Sequence, residues 1–156
     1  ILPLSVFITL NFLTFGSIIG FIISWVFTVL GCMMSYYIFK SSVSEKRLEK
    51  FKENQTLLKV INVIENMNFT SLALLIAIPF TPAFAVNIAA GICRVDKKKF
   101  LYALMIGKIS LVYFWGYVGV NLIEALKTPI VLIKLAVIVL IVYIISYILS
   151  KKLKIK

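Results

Sequence analysis

The chain has no histidine and only two cysteines, Cys32 and Cys93, among 156 residues. Without histidine or a cysteine cluster, the sequence contains none of the usual metal-binding patterns, so we expect no metal and no cofactor. Acidic residues are also scarce, with 6 of them against 17 lysines and arginines. No nucleophile is paired with a base, and the sequence therefore predicts a protein that is not an enzyme. The two cysteines lie far apart in apolar segments and are expected to pack rather than react.

Charged residues are absent from residues 3–39, and 62% of the whole chain is hydrophobic. Soluble domains contain about 45–50% apolar residues, so this composition predicts an integral, multi-pass membrane protein. The net charge of +11 lies in clusters between apolar segments, which is typical of cytoplasmic loops. We expect membrane lipids as partners, including anionic headgroups at the basic clusters, and no nucleic acid. The sequence indicates no oligomeric state.

The first apolar run, residues 3–39, is too long for one upright membrane span, which needs about 20 residues. Gly16 and Gly20 indicate a break within this run. We therefore predict a short broken or re-entrant segment at 3–17, followed by a spanning helix at 18–39. The chain begins with isoleucine rather than methionine, so we expect it to be part of a longer protein, with an upstream helix or signal sequence as open alternatives.

Residues 69–93 are as apolar as a membrane helix, but Pro79 and Pro82 lie at their centre. Proline breaks a helix because it removes a backbone donor and clashes with the preceding turn. Six basic residues at 40–59 precede this stretch and four at 94–99 follow it. A full span would place these clusters on opposite faces of the membrane, so we predict a re-entrant hairpin. Non-helical backbone at membrane depth survives only inside protein or beside water, which indicates a site.

Two further spans are predicted at 100–120 and 129–149, joined by a nearly neutral outer loop. Residues 41–66 place apolar side chains at helical spacing among charges. This pattern favours an amphipathic helix on the cytoplasmic membrane surface or, equally, a helix packed on other protein elements. The charge distribution then puts the loop 40–66 and the C-terminus in the cytoplasm, with the protein in the cell membrane.

The two broken segments resemble each other at an offset of 76 positions. Residues 2–5 (LPLS) align with residues 78–81 (IPFT), and Asn11 aligns with Asn87. The predicted topology has them enter from opposite faces, as in an inverted repeat, which places a substrate site at the repeat interface near the midplane. Coincidence between apolar segments is the alternative.

Two blocks of sequence carry a family resemblance. The second block is Pro79-x-x-Pro82-x-x-x-x-Asn87-x-x-Ala90-Gly91, continued by Phe100, Gly107 and Gly119. The first block is Phe15-Gly16-x-x-x-Gly20, continued by Gly31, Tyr36 and Lys40. Together they cover about residues 2–120 and resemble the VTT-domain membrane proteins, the DedA-like or SNARE-associated Golgi protein superfamily, with the TVP-type branch as the closer match.

The resemblance implies an all-α membrane protein in which two re-entrant hairpins face each other within a bundle of spanning helices. Eukaryotic relatives are associated with lipid scrambling, and some bacterial relatives with flipping a polyprenyl-phosphate carrier lipid. Others are linked to envelope homeostasis and the proton-motive force. The resemblance therefore implies a protein that moves a lipid, with a phosphate-bearing lipid as one option. The alternatives are a secondary transporter of a small solute or ion and a non-transporting membrane-organisation protein.

The sequence departs from the family pattern at three points. The family usually has arginine three residues before the first hairpin proline, where this chain has Ile76. Ser110 replaces a family proline, with Lys108 nearby, and no acidic residue precedes Glu45. These changes weaken the case for proton coupling or phosphate recognition, although Lys108 could supply the missing positive charge from another helix.

Polar side chains within apolar segments are the candidates for a substrate path. Lys108 costs about 2.5–3.5 kcal/mol inside a span, so it either contacts a headgroup at the hairpin interface or snorkels to the membrane surface. The asparagines either touch substrate or satisfy freed backbone groups. The candidate path residues are Asn87, Lys108, Thr81, Asn11 and Ser110. The residues expected to break helices or act structurally are Pro79, Pro82, Pro3, Gly91 and Gly16.

Overall fold

The computed structural model describes residues 4–42, 62–81, 83–125 and 128–152, and every regular element in these ranges is a helix. The elements are α1 (Leu4–Ser42), α2 (Phe69–Ala77), α3 (Ala83–Ile92), α4 (Lys97–Ala125) and α5 (Pro129–Lys152). Three helical stretches are long and apolar enough to cross a membrane, namely Leu4–Ser42, Lys97–Leu122 and Ile130–Leu149. The predicted class, an all-α membrane protein, is confirmed.

The outer surface of the helices is largely apolar, and its exposure to water would be unfavourable. Ile18 is 77% exposed, Phe27 68% and Ile130 65%, and these are members of a larger set of exposed aliphatic and aromatic side chains. Soluble monomers rarely expose contiguous apolar surface of this extent. Lipid hydrocarbon is therefore the medium that suits the outside of the bundle.

The amphipathic helix predicted at 41–66 lies mostly outside the described residues. Residues 62–66 are helical, and Ile64 is buried in the main core. Serines 41 and 42 belong to the end of α1. The structure therefore leaves the choice between a membrane-surface helix and a protein-packed helix as the sequence left it.

Helix α1 reverses direction at Gly16. The backbone of Gly16 has φ 77° and ψ 171°, which no helix contains. The residues before it (4–15, the short arm) fold back along the residues after it (17–42, the long arm). The Nδ2 of Asn11 donates a hydrogen bond to the Oγ of Ser24 at 3.0 Å, although they are 13 residues apart. In a straight helix the same separation would be about 20 Å.

We expect Gly16→Ala to destabilise the protein. The observed backbone angles at Gly16 belong to a region that only glycine adopts without strain, and such strain costs about 1–3 kcal/mol. Space is not the cause, because a Cβ at this position would meet no atom within 4 Å. Thermal unfolding in detergent should show a lower melting temperature for the variant, and an unchanged melting temperature would contradict the observed reversal.

The second broken region is the pair α2 and α3, which the turn at 78–81 connects. Helix α2 begins with Asn68 as its N-cap, whose side-chain oxygen accepts from the backbone N–H of Ser71 at 2.8 Å. It ends where Ile78 is extended, at φ −69° and ψ 117°, as expected for the residue before a proline. Pro79 thus stops the helix, and the N–H of Thr81 bonds back to the carbonyl of Ile78 at 3.2 Å.

Helix α3 is joined to α4 by a tight turn that resembles the reversal in α1. Arg94 has a positive φ of 50°, and the N–H of Val95 donates to the carbonyl of Ala90 at 3.1 Å. Asp96 then caps α4, because its Oδ1 accepts from the N–H of Lys99 at 2.8 Å. A short helix, a residue with positive φ and a long helix therefore follow one another twice in the chain, in α1 and from α3 to α4.

The short helices pack on each other's long helices. The short arm lies on α4, where a Cβ on Gly119 would clash with Thr9 and a Cβ on Gly116 would clash with Phe12. Helix α3 lies on the long arm, where a Cβ on Gly91 would come within 2.7 Å of the Tyr36 carbonyl oxygen. This reciprocal packing is the arrangement that a two-fold related repeat would produce. Whether either hairpin re-enters the membrane from one face stays a prediction.

The main core joins the long arm, α2, α3 and α4. Tyr36 is its best-connected member: it is fully buried, its hydroxyl donates to the carbonyl of Val95 at 2.6 Å, and its ring stacks on Phe100 at 5.0 Å. Both cysteines pack in this core as expected. Lys40 lies over the Tyr36 ring at 5.3 Å and Lys97 over the neighbouring Tyr37 ring at 5.6 Å. The end of α1 and the start of α4 therefore form one basic end of the bundle.

Candidate functional site

Three polar side chains from three elements meet in a small internal cavity. Lys108 comes from α4, Asn87 from α3 and Thr81 from the turn between α2 and α3. The cavity volume is about 10 Å³, close to what a single water molecule requires. The remaining lining is apolar and consists of Leu75, Ile76, Ala83, Val86 and Leu104.

Lys108 is the most unusual group in the described part of the chain. Its side chain is 1% exposed, and its Nζ has no hydrogen-bond partner among the described residues. The amine therefore lies inside the protein and does not extend to the surface as a snorkelling lysine would. Buried polar atoms without a partner are rare in folded proteins and cost about 1–3 kcal/mol, and more when charged.

The packing of α2 on α4 keeps Lys108 inside. The neighbouring Gly107 allows this approach, because a Cβ there would lie 2.8 Å from the backbone oxygen of Ala73 and from the side chain of Ile76. Leu104, one helical turn before Lys108, is also fully buried and lines the same cavity. The sequence thus directs this face of α4 toward α2 and the turn at 78–81.

The polar groups of the cavity can all donate hydrogen bonds, and none of them is an acid. Asn87 is 6% exposed and contributes an amide, Thr81 contributes a hydroxyl, and Lys108 contributes an amine with no acceptor role when protonated. None of the eight lining residues is acidic. Chemically, this arrangement suits the oxygen atoms of an anion or a water molecule.

Ile76 occupies the position where the resembled family usually has arginine. In the structure Ile76 and Lys108 line the same cavity, one from α2 and the other from α4. An amine from α4 thus lies beside the position where the family pattern has an arginine on α2. The comparison with the family pattern predicted that Lys108 would take over this role.

The other two candidate path residues lie elsewhere. Asn11 bonds to Ser24 within the reversal of α1, so its amide satisfies a neighbouring side chain. Ser110 is exposed and lines an open groove of about 440 Å³ with Phe12, Ile18 and other apolar side chains of α1 and α4. The cavity thus unites Asn87, Lys108 and Thr81 but neither Asn11 nor Ser110.

The residues predicted to be structural occupy turns and close contacts. Pro79 begins the turn after α2, Gly16 provides the reversal of α1, and Gly91 allows α3 to approach Tyr36. Pro3 and Pro82 lie outside the described residues.

Sequence reasoning missed the aromatic contacts of the turn beside the cavity. The Phe80 ring lies 6.1 Å from the ring of Phe114, 6.1 Å from that of Trp115 and 5.6 Å from that of Tyr143. The only signal in the sequence was the adjacency of Phe80 to Thr81, because Tyr143 comes from α5 and its approach depends on tertiary packing.

The fold and the site define an all-α membrane protein with helices able to span the bilayer and with a small cavity, lined in part by three polar side chains, next to a broken helix. The model of the VTT domain matches residues 2–121. The chain belongs to the VTT-domain family. Its α5 helix follows the matched region.

A curated relative is an uncharacterized membrane protein, YhjE of Bacillus subtilis strain 168. It is 31% identical to this chain over 129 residues, which is 83% of this chain and 62% of the relative. The chain therefore spans less than two thirds of that relative's length. No solved structure matches the chain. Among the described residues, no group of histidine, cysteine, aspartate or glutamate could hold a metal ion.

Proposed function

We propose that this protein moves a lipid across the bilayer and that the cavity around Lys108 receives the polar headgroup. The observation that carries the proposal is the Lys108 amine, which is buried within a helix long enough to span the membrane and has no partner in the described residues. A charge at this depth is costly, and such residues in membrane proteins commonly mark a substrate path. A headgroup would supply the partner that the neighbouring side chains do not.

The chemistry of the cavity favours a headgroup that accepts hydrogen bonds. Lys108, Asn87 and Thr81 can all donate, and no acid competes for the amine among the lining residues. Phosphate and other anionic oxygens form short, charge-assisted hydrogen bonds with lysine. We therefore propose an anionic or phosphate-bearing lipid as the preferred substrate.

The size of the cavity requires a change of shape during transport. At about 10 Å³ it holds no more than one water molecule, whereas a phosphate headgroup is several times larger. The turn at 78–81 and the helices around it must therefore separate before the headgroup enters. In this proposal the observed arrangement is the closed state of an alternating site.

A secondary transporter of a small solute or ion is the second candidate. The enclosure of Lys108, with 1% of its side chain exposed, favours it, because a solute site is sealed from lipid on all sides. This alternative predicts uptake of a solute into vesicles without lipid movement, so measuring both in one preparation separates the two proposals.

The proposed orientation places the basic end of the bundle in the cytoplasm. Lys40 at the end of α1 and Lys97 at the start of α4 contact adjacent tyrosines, so the basic residues of both segments face one side. Positive residues prefer the cytoplasmic face, where anionic headgroups attract them. Protease or maleimide accessibility in right-side-out membrane vesicles tests this orientation.

We expect Asn87→Leu to slow lipid movement at least about tenfold, because it removes a hydrogen bond of roughly 1.5–3 kcal/mol to the anionic headgroup. The measurement is the rate at which a fluorescent lipid exchanges leaflets in vesicles that contain the purified protein. Asn121→Leu is the matched control, since Asn121 lies on α4 outside the cavity and bonds only locally to the Tyr117 carbonyl at 2.8 Å. Equal rates for the two variants would contradict the placement of the headgroup.

A further inference from the structure

The turn at 78–81 separates the polar cavity from an apolar groove on the side of the bundle. Thr81 lines the cavity, while its neighbour Phe80 lines the groove. The groove lies between α4 and α5 and has a volume of about 450 Å³. Its other lining residues are Leu122, Leu132, Leu135, Ala136, Val139, Leu140 and Tyr143. Two consecutive residues of this turn thus line the two spaces, Thr81 the cavity and Phe80 the groove.

The Phe80 side chain contacts three aromatic rings. Its ring meets Phe114 and Trp115 of α4 and Tyr143 of α5 edge-to-face, and 39% of its side chain is exposed. Contacts of this type are individually weak and carry no hydrogen bond. Phe80 is therefore the residue of this turn that lines the groove, and Thr81, which follows it in the chain, lines the cavity.

We propose that the α4–α5 groove binds the acyl chain of the lipid whose headgroup reaches the Lys108 cavity, and that Phe80 is the gate between them. This inference rests on the proposed function. The occupant is an acyl chain because the groove lining is almost entirely apolar, and because the turn that lines it also lines a cavity whose unpartnered amine requires a polar ligand. An amphiphilic lipid has a polar headgroup that suits the cavity and an acyl chain that suits the groove.

The inference also gives α5 a role in transport. The VTT-domain match ends at residue 121, and most of the groove lining comes from Leu132 to Tyr143 on α5. Among the described helices, α5 packs mainly on α4. It therefore forms the outer wall of the groove and completes the gate through Tyr143.

The groove is tested with a phospholipid that carries a photoreactive diazirine in its acyl chain. Purified full chain is reconstituted in vesicles of phosphatidylethanolamine and phosphatidylglycerol, irradiated and digested, and labelled peptides are measured. Ala136→Phe places a ring in the groove. Val137→Phe is the matched control, because Val137 is 49% exposed and does not line the groove. We expect Ala136→Phe to lower labelling of the α4 groove face severalfold and to slow lipid movement, with Val137→Phe unchanged.

Equal labelling in the two variants would overturn the inference, as would a groove covered by a second copy of the chain, detected by cross-linking between copies at Leu140→Cys. Labelling that depends on Ala136 while the native protein moves no lipid would support the tail site and reject the proposed function. Lipid movement that proceeds without groove labelling would support the proposed function and reject the tail site.

The gate is tested separately with Phe80→Ala. Removal of the ring opens the gate, so we expect lipid movement to become severalfold faster than in the native protein. Phe84→Ala is the control, since Phe84 is 69% exposed and its ring meets that of Phe39, away from the groove. Movement at or below the native rate, in a Phe80→Ala protein with the native elution profile and melting temperature, would overturn the gate.

Discussion

Replacement of Lys108 by methionine should make the protein more stable and abolish most of its lipid movement. The buried amine has no partner in the described residues, so an apolar side chain of similar length removes an uncompensated polar group. We expect a gain of about 1–3 kcal/mol in the free energy of unfolding. A hydrogen bond to a charged group contributes about 1.5–3 kcal/mol, so its loss should slow transport at least about tenfold.

The combination of the two changes is what identifies a functional residue. If Lys108 had a structural role, its substitution would destabilise the protein. If it had no role, its substitution would change neither the stability nor the transport rate. Lys134→Met is the matched control, because Lys134 is an exposed lysine within the apolar helix α5. Thermal unfolding in detergent and the leaflet-exchange rate are measured for both variants. A less stable Lys108→Met protein with native transport would refute the role of the amine.

Replacement of Gly20 by alanine should destabilise the protein through the hairpin of α1. A Cβ on Gly20 would collide with the backbone carbonyl of Asn11 and with the Cα of Phe12 at 2.8 Å. Backbone atoms cannot rotate away, so the short and long arms must separate. Overpacking of this kind costs about 1–3 kcal/mol. The melting temperature should fall by several degrees, and the hydrogen bond between Asn11 and Ser24 should be lost.

Gly31→Ala provides the comparison within the same helix. A Cβ on Gly31 would meet nothing within 4 Å, and alanine is a better helix former than glycine by about 0.8–1.0 kcal/mol. We therefore expect an unchanged or higher melting temperature for Gly31→Ala. If both variants behaved alike, the two arms of α1 would not pack together as observed.

The broken helices were predictable from a few residues with strict backbone requirements. Pro79 must end a helix, and a run as long as 3–39 without a charge must be divided near Gly16. The spans follow from hydropathy and length. These features depend on local chemistry, so the sequence alone carries them, whereas the path by which each hairpin enters the membrane depends on the bilayer.

The composition of the cavity was predictable only in part. Successive residues of a helix are rotated by about 100°, so Ser110 lies about 200° around α4 from Lys108 and cannot share its face. This excludes Ser110 from the cavity on geometry alone. The choice of face for Lys108 was not predictable, because α4 is apolar on most sides and has no clear polar stripe. Gly107, which admits α2, sets that choice through tertiary packing.

The repeat illustrates the same limit. Asn11 and Asn87 occupy matching positions in the two broken segments, yet Asn11 bonds to Ser24 whereas Asn87 lines the same cavity as Lys108. Sequence alignment gives equivalent positions but not equivalent neighbours. The difference arises because the neighbouring residues differ. Ser24 on the long arm accepts the hydrogen bond of Asn11, whereas the Lys108 amine on α4 has no partner among the described residues.

The most direct test of lipid movement uses vesicles with a fluorescent phosphatidylglycerol in both leaflets and a reductant that cannot cross the membrane. Native protein should allow the reductant to bleach the probe from both leaflets, whereas protein-free vesicles should lose only the outer-leaflet signal and Lys108→Met should lose the inner-leaflet signal at least about tenfold more slowly than native protein. If folded native protein bleached no more than empty vesicles did, the proposed movement of lipid through the Lys108 cavity would be wrong.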